Sequence, residues 1–170
     1  MQFIDSNADS LKSRVPLPPG TRQFVAQKAL ALETTGQSLP YQLAYQSWGT
    51  LNATADNAIL VIHALSGSAD VTAWWPDLLG PGKPLDPARD FVLCINLLGS
   101  CYGSSGPLST EPGTGQAWQS RFPEISVRDQ ARAQAELVRA LGINRLRAVI
   151  GPSLGGMVAL NSRFCLSLGR

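Results

Sequence analysis

The chain has 170 residues, 44% of them hydrophobic and 15% charged. That length suits one domain, and the mixture is too apolar for a disordered chain. No run of about 18 apolar residues is present to cross a bilayer, and a net charge of +2 gives no electrostatic footprint for nucleic acid. The sequence holds a single histidine, His63. A histidine base is therefore either this residue or lies outside the chain.

The first fifteen residues contain Asp5 and Asp9 and no apolar stretch of signal-peptide length. The cysteines are Cys94, Cys101 and Cys165, an odd number without a CxxC pair or zinc-ligand spacing. Reduced thiols in a cytoplasmic protein are the expectation.

Residues 1–20 close on Pro16-Leu-Pro-Pro-Gly20 and read as an irregular arm. Residues 21–170 read as part of one α/β domain. Within it, Lys28–Leu32 and Leu39–Trp48 flank Thr34–Gln37, which predicts a β-hairpin. Three short apolar runs follow, Ala58–Ile62, Phe91–Ile95 and Leu146–Ile150. Such runs suit strands covered on both faces, as in a parallel sheet between layers. Between the last two, Ser126 precedes a helical pattern with Asp129 at capping-box spacing. Val127, Ala131, Leu137, Val138 and Leu141 share one face, and Gly142 supplies a stop. A hairpin followed by βαβ units implies an α/β fold: a mostly parallel sheet with antiparallel strands at its N-terminal side. The segments 76–90 and 97–124 are long, rich in Gly, Pro and Ser, and of the kind that carries function.

The residues that carry chemistry are Gly151-Pro-Ser-Leu-Gly155 and Gly156. They match G-x-S-x-G and stand between a predicted strand and a predicted helix, the setting of a nucleophile elbow. A sharp turn there exposes Ser153 at the carboxyl edge of the sheet, beside a helix N-terminus that favours developing negative charge. After the run 58–62 comes His63-Ala-Leu-Ser-Gly67. In an α/β-hydrolase fold the loop after that strand gives one oxyanion-hole amide, and the residue after the nucleophile gives the other. The candidates are the backbone amides of Leu65 and Leu154. His63 precedes the nucleophile, whereas the base of this fold follows it in chain order. It is read as ordering the oxyanion loop by hydrogen bonding. Gly80-Pro-Gly-Lys-Pro84 lacks the spacing and the Ser/Thr of a phosphate loop and reads as a rigid turn. Trp74 and Trp75 read as anchors of their loop against the core.

Taken together, these motifs resemble a known family. His63–Gly67, Trp74-Trp75, Leu79–Pro84, Asn96-Leu-Leu-Gly-Ser-Cys-Tyr-Gly-Ser-Ser-Gly-Pro107, Phe122–Asp129 and Gly151–Met157 occur in the order of homoserine O-acetyltransferases, acyltransferases of the α/β-hydrolase fold in methionine biosynthesis. The resemblance runs from about Tyr41 to Leu160. It implies ping-pong transfer from acyl-CoA to homoserine through an acyl-Ser153, with acyl-CoA as co-substrate and no other cofactor. It also implies a homodimeric full-length protein. Related reactions are succinyl transfer to homoserine or serine and, within the same fold, ester hydrolysis. Two departures stand out. Pro152 occupies a position where relatives generally carry glycine, and Asn161–Arg170 does not read as the expected helix continuation. The family's catalytic aspartate and histidine lie far downstream of the nucleophile, and no histidine follows Ser153. The chain is therefore expected to be an inactive fragment, truncated after the elbow, with poor stability in isolation.

Overall fold

The three apolar runs become three neighbouring parallel strands, residue for residue. They are β5 (Ala58–Ile62), β6 (Phe91–Ile95) and β7 (Leu146–Ile150). A computed structural model describes residues 16–167 of the chain, with side chains as far as residue 162. Of the arm expected over residues 1–20, residues 1–15 lie outside the described part. Pro19-Gly20 forms a turn ahead of β1 (Arg22–Val25).

The main sheet has the order β1-β4-β6-β5-β7, where β4 is Gln42–Trp48. β6 and β7 both run parallel to β5, whereas β4 runs antiparallel to β6 and to β1. Successive side chains of the central strands point to opposite faces. Leu60, Ile62, Leu93 and Ile95 join a core with Tyr41, Leu43, Leu137, Val138 and Val158. Ile59, Val61, Val92 and Cys94 face Val71, Leu79 and Leu85, with Trp74 and Trp75 packed around them. Both faces are covered, which is why these strands carry almost no polar residue. Each fully buried Leu or Ile contributes about 1.5–3 kcal/mol relative to exposure.

The predicted hairpin forms only in part. β2 (Leu30–Ala31) and β3 (Ser38–Leu39) pair antiparallel in a small separate sheet. Pro40 then interrupts the run, because proline has no N–H for a ladder. Beyond it, β4 leaves the hairpin and joins the main sheet. Its partner β1 was not anticipated; Arg-Gln-Phe-Val carries too little alternation to announce a strand.

The helix α2 (Val127–Ala140) forms as expected. The Ser126 hydroxyl accepts from the Asp129 amide at 3.0 Å, and the Asp129 carboxylate accepts from the Ser126 amide at 3.0 Å. Gly142, at φ +73°, ends the helix as the Ile143 amide donates back to the Val138 carbonyl. A short helix, α1 (Val71–Trp74), capped by Asp70, lies in the loop region after β5. The last helix, α3, runs Leu154–Ser167. This corrects the expectation at Asn161: the helix continues through it. Asn161 and Ser162 turn their side chains back to the carbonyls of Met157 and Val158, a bond within the helix that accommodates short polar residues.

Candidate active site

β7 ends at Ile150 and α3 begins at Leu154. Three residues therefore reverse the chain. Ser153 takes φ +52°, a left-handed conformation that costs a non-glycine residue about 1–3 kcal/mol and persists where the surroundings impose it. Those surroundings are identifiable. A Cβ on Gly155 would stand 2.1 Å from the Ile62 carbonyl oxygen, and one on Gly151 would stand 2.5 Å from the same atom. The glycines let α3 and the elbow press against the end of β5, and the turn has no room to relax. The Ser153 carbonyl accepts from the amides of Gly156 and Met157, so the serine opens the helix while its side chain stays exposed. Pro152 is accommodated in this turn, half-buried, with the serine still in the strained conformation.

Beside the elbow, residues 64–67 form a tight turn closed by the Gly67 amide on the Ala64 carbonyl at 2.9 Å. Leu65 sits at its tip, 77% exposed. Among the described residues, neither the Leu65 nor the Leu154 amide has an acceptor. The structure brings these two residues to one cavity of about 580 Å³, whose other walls include Leu97, Leu98, Phe122 and Gln130. Leu65 and Leu154 are the two residues whose amides are expected to form the oxyanion hole, and Ser153 itself is not among the residues lining the cavity. The role of Gln130 was not anticipated, although a glutamine beside Ala131 on the core-facing side of α2 was a legible anomaly. Its side chain grips Leu98 at both ends, accepting from its amide at 2.9 Å and donating to its carbonyl at 2.8 Å.

The wall that follows Leu98 is held by its serines. Ser104 accepts from the Ala44 amide and donates to the Asn96 carbonyl, while Ser105 accepts from the Gln42 amide. This segment therefore reads as a loop in sequence yet is stitched to β4.

His63 is fully buried just after β5. Its Nε2 accepts from the Leu97 amide at 3.0 Å, and its Nδ1 lies 2.7 Å from the Ala64 carbonyl. Burial foremost pushes its pKa below the ordinary histidine value. Both ring nitrogens are engaged, so this ring is not placed to take the Ser153 proton. The glycine-rich segment 80–84 is a turn, as expected, with Leu79 bridging Leu85 and the Lys83 amide on the Gly80 carbonyl. Trp74 and Trp75 stack 4.8 Å apart, and the Trp74 ring N–H donates to the Ser68 carbonyl. Both act as loop anchors. Cys94 is buried, and its thiol pKa is raised by burial first and by Asp70 second; Cys101 is exposed beside the cavity. The Cys165 side chain lies outside the described residues. Among the described residues, no group of His, Cys, Asp and Glu side chains is arranged to hold a metal ion, and no helix is long and apolar enough to span a membrane.

Comparison with known proteins places these features. Residues 57–161 match the alpha/beta hydrolase fold family. A homoserine O-acetyltransferase of Chloroherpeton thalassium is 52% identical over 131 residues, covering 77% of this chain and 35% of that protein. One of Rhodopseudomonas palustris is 48% identical over 162 residues, covering 90% of this chain and 39% of its own length. The chain thus spans roughly two-fifths of the curated relatives it matches. Among solved structures, homoserine O-acetyltransferase from Bacillus anthracis superposes with a TM-score of 0.76 at 36% identity, over 83% of this chain and 42% of that one. An acetylester hydrolase from Corynebacterium glutamicum superposes with a TM-score of 0.72 at 32% identity, over 81% and 38%. With its elbow, its mixed sheet and more than half its length matched, this chain belongs to the alpha/beta hydrolase fold family.

Proposed function

We propose that the chain is the nucleophile-bearing portion of a homoserine O-acetyltransferase. The observation that carries the reading is the strained, exposed Ser153 on an elbow, in a chain about half identical to proteins of that name. Ser153 Oγ attacks the acetyl-CoA thioester carbonyl. The C–S bond breaks, CoA leaves as the thiol with the serine proton, and an acetyl-serine remains. The homoserine hydroxyl then attacks that ester, giving O-acetylhomoserine and returning a proton to Oγ. In both halves the Leu65 and Leu154 amides stabilise the oxyanion, a role worth about 3–4 kcal/mol per donor. The base and its orienting carboxylate come from residues outside this chain, since the ring of His63 is engaged elsewhere. No resident cofactor takes part, acetyl-CoA being a co-substrate, and the setting of such an enzyme is the cytoplasm, as a homodimer.

Hydrolysis is the second reading, favoured by the likeness to an acetylester hydrolase. Succinyl-CoA in place of acetyl-CoA, and serine in place of homoserine, are further variants of the transfer. One assay separates them: the chain extended by the downstream part of a relative, given either CoA thioester with homoserine, serine or neither. Homoserine-dependent CoA release from acetyl-CoA is the expected result; release indifferent to any acceptor means hydrolysis. Replacing Ser153 by Ala should lower turnover by about a thousandfold or more and abolish the mass increment of the acetyl-enzyme.

A further inference from the structure

The cavity beside the elbow is lined by several separate segments of chain, and the His63 ring bonds to two of them, at Ala64 and at Leu97. His63 follows β5, whose last carbonyl, that of Ile62, is the atom Gly151 and Gly155 press against. The His63 carbonyl itself would stand 2.8 Å from a Cβ on Gly155, so its backbone is part of the seat of the elbow. Its ring does the rest. The Leu97 amide is a donor, so the Nε2 that receives it at 3.0 Å carries no proton. The proton of the neutral ring is then on Nδ1, donated to the Ala64 carbonyl at 2.7 Å. That carbonyl also accepts from the Gly67 amide, which closes the turn displaying Leu65. Gly67 is packed on the ring's own stem, since a Cβ there would lie 2.8 Å from the His63 Cβ. From Leu97 onward the chain is handed to Gln130, which grips the next residue at both ends.

We propose that His63 is a positioning residue: a neutral imidazole held as the Nδ1–H tautomer, tying the oxyanion turn and the cavity wall at Leu97 to the seat of the elbow. The inference rests on the catalytic reading of Ser153 and Leu65 given above. A second proton on the ring would place a donor against the Leu97 donor and break the tie. Besides burial, the groups acting on the ring are uncharged, the Ala64 carbonyl and the Asn96 side chain. Among the described residues, no carboxylate acts on the ring to favour the imidazolium.

Because the chain has one histidine, the ring is directly observable. Imidazole ¹⁵N NMR of the full chain labelled at histidine should show a protonated Nδ1 and an unprotonated Nε2, unchanged as pH falls through about 6.5, the ordinary histidine value. Averaged tautomers, or a midpoint at that value, would overturn the proposal. Replacing His63 by Ala should raise hydrogen exchange at the Leu97 amide about tenfold while β5 and β6 amides hold. His63→Gln, whose amide oxygen reaches the position of Nε2, should restore protection. Equal exchange in the two variants counts against the tie. In the full-length enzyme, His63→Ala should lower kcat about tenfold or more with KM little changed, as a mis-aimed oxyanion donor does. His63→Gln should recover part of the loss. A locked ring in a protein without transferase activity would sink the proposed function and leave the tie standing. A titrating ring in an active transferase would sink the tie alone.

Discussion

Gly155 and His63 show how single residues set the elbow from opposite sides. Gly155 has no space for a methyl group, because the atoms it would meet are backbone carbonyls of Ile62 and His63 that cannot rotate away. Gly155→Ala should destabilise the chain by about 3 kcal/mol, the upper range of overpacking, read as a shift in urea midpoint. A shift under about 1 kcal/mol would mean that the strand end and helix separate easily. His63 acts through protonation. Its folded-state pKa lies below the unfolded value because burial disfavours the charge. The unfolded chain therefore takes up the proton first as pH falls. The stabilising contribution is complete above about pH 6.5 and is lost progressively below it. Urea midpoints between pH 7.5 and 5 should fall for the native sequence and stay flat for His63→Gln. The shifted carboxylates Asp56, Asp86, Glu111 and Asp129 all move to lower pKa, so their contributions are lost below this window.

The elements differ in how much of their stability is local. α2 is specified from within, by the Ser126–Asp129 capping box at one end and Gly142 at the other. Ser126→Ala should cost about 1 kcal/mol, measured by thermal or urea unfolding. Asp129 also accepts from the Glu33 amide and pairs with Arg132, so Asp129→Ala should cost more than Ser126→Ala. Burial by itself would raise the Asp129 pKa. The bonds from Arg132, Ser126 and Glu33 outweigh it and hold the carboxyl below its usual value. That portion of stability is present at neutral pH and is lost as pH falls below about 4. β4 is the opposite case. Its residues predict a strand, but nothing in Gln42–Trp48 says that β1 and β6 will flank it. The wall after Asn96 goes further still, since its order comes from serines that reach β4 from about sixty positions away in sequence.

Across the whole molecule, burial is uneven. β5 and β6 are enclosed, whereas β7 is the sheet edge among the described residues and stays half-buried over most of its length. The neighbouring α3 exposes 58% of Met157 and 69% of Leu160. An apolar helix face beside an open strand edge favours self-association. The apparent mass of the isolated chain, taken from light scattering divided by concentration, should therefore rise with protein concentration, and the double substitution Met157→Lys, Leu160→Lys should suppress the rise. An apparent mass that stays flat with concentration in the native sequence would count against an open apolar surface.

The sequence by itself determined the elements whose information is local: three short apolar runs that suit strands, a helix bracketed by its own capping residues, and a serine between glycines at a strand-to-helix junction. Tertiary structure decided what joins distant segments. It placed β1 beside β4, aligned the Ala64–Gly67 turn with the elbow, recruited Gln130 to the cavity wall, and set both nitrogens of His63 to work on backbone groups. The physical reason is range. Periodicity, capping and turn strain act within a few residues, whereas a hydrogen bond from residue 63 to residue 97 exists only after the sheet has brought the ends of β5 and β6 side by side.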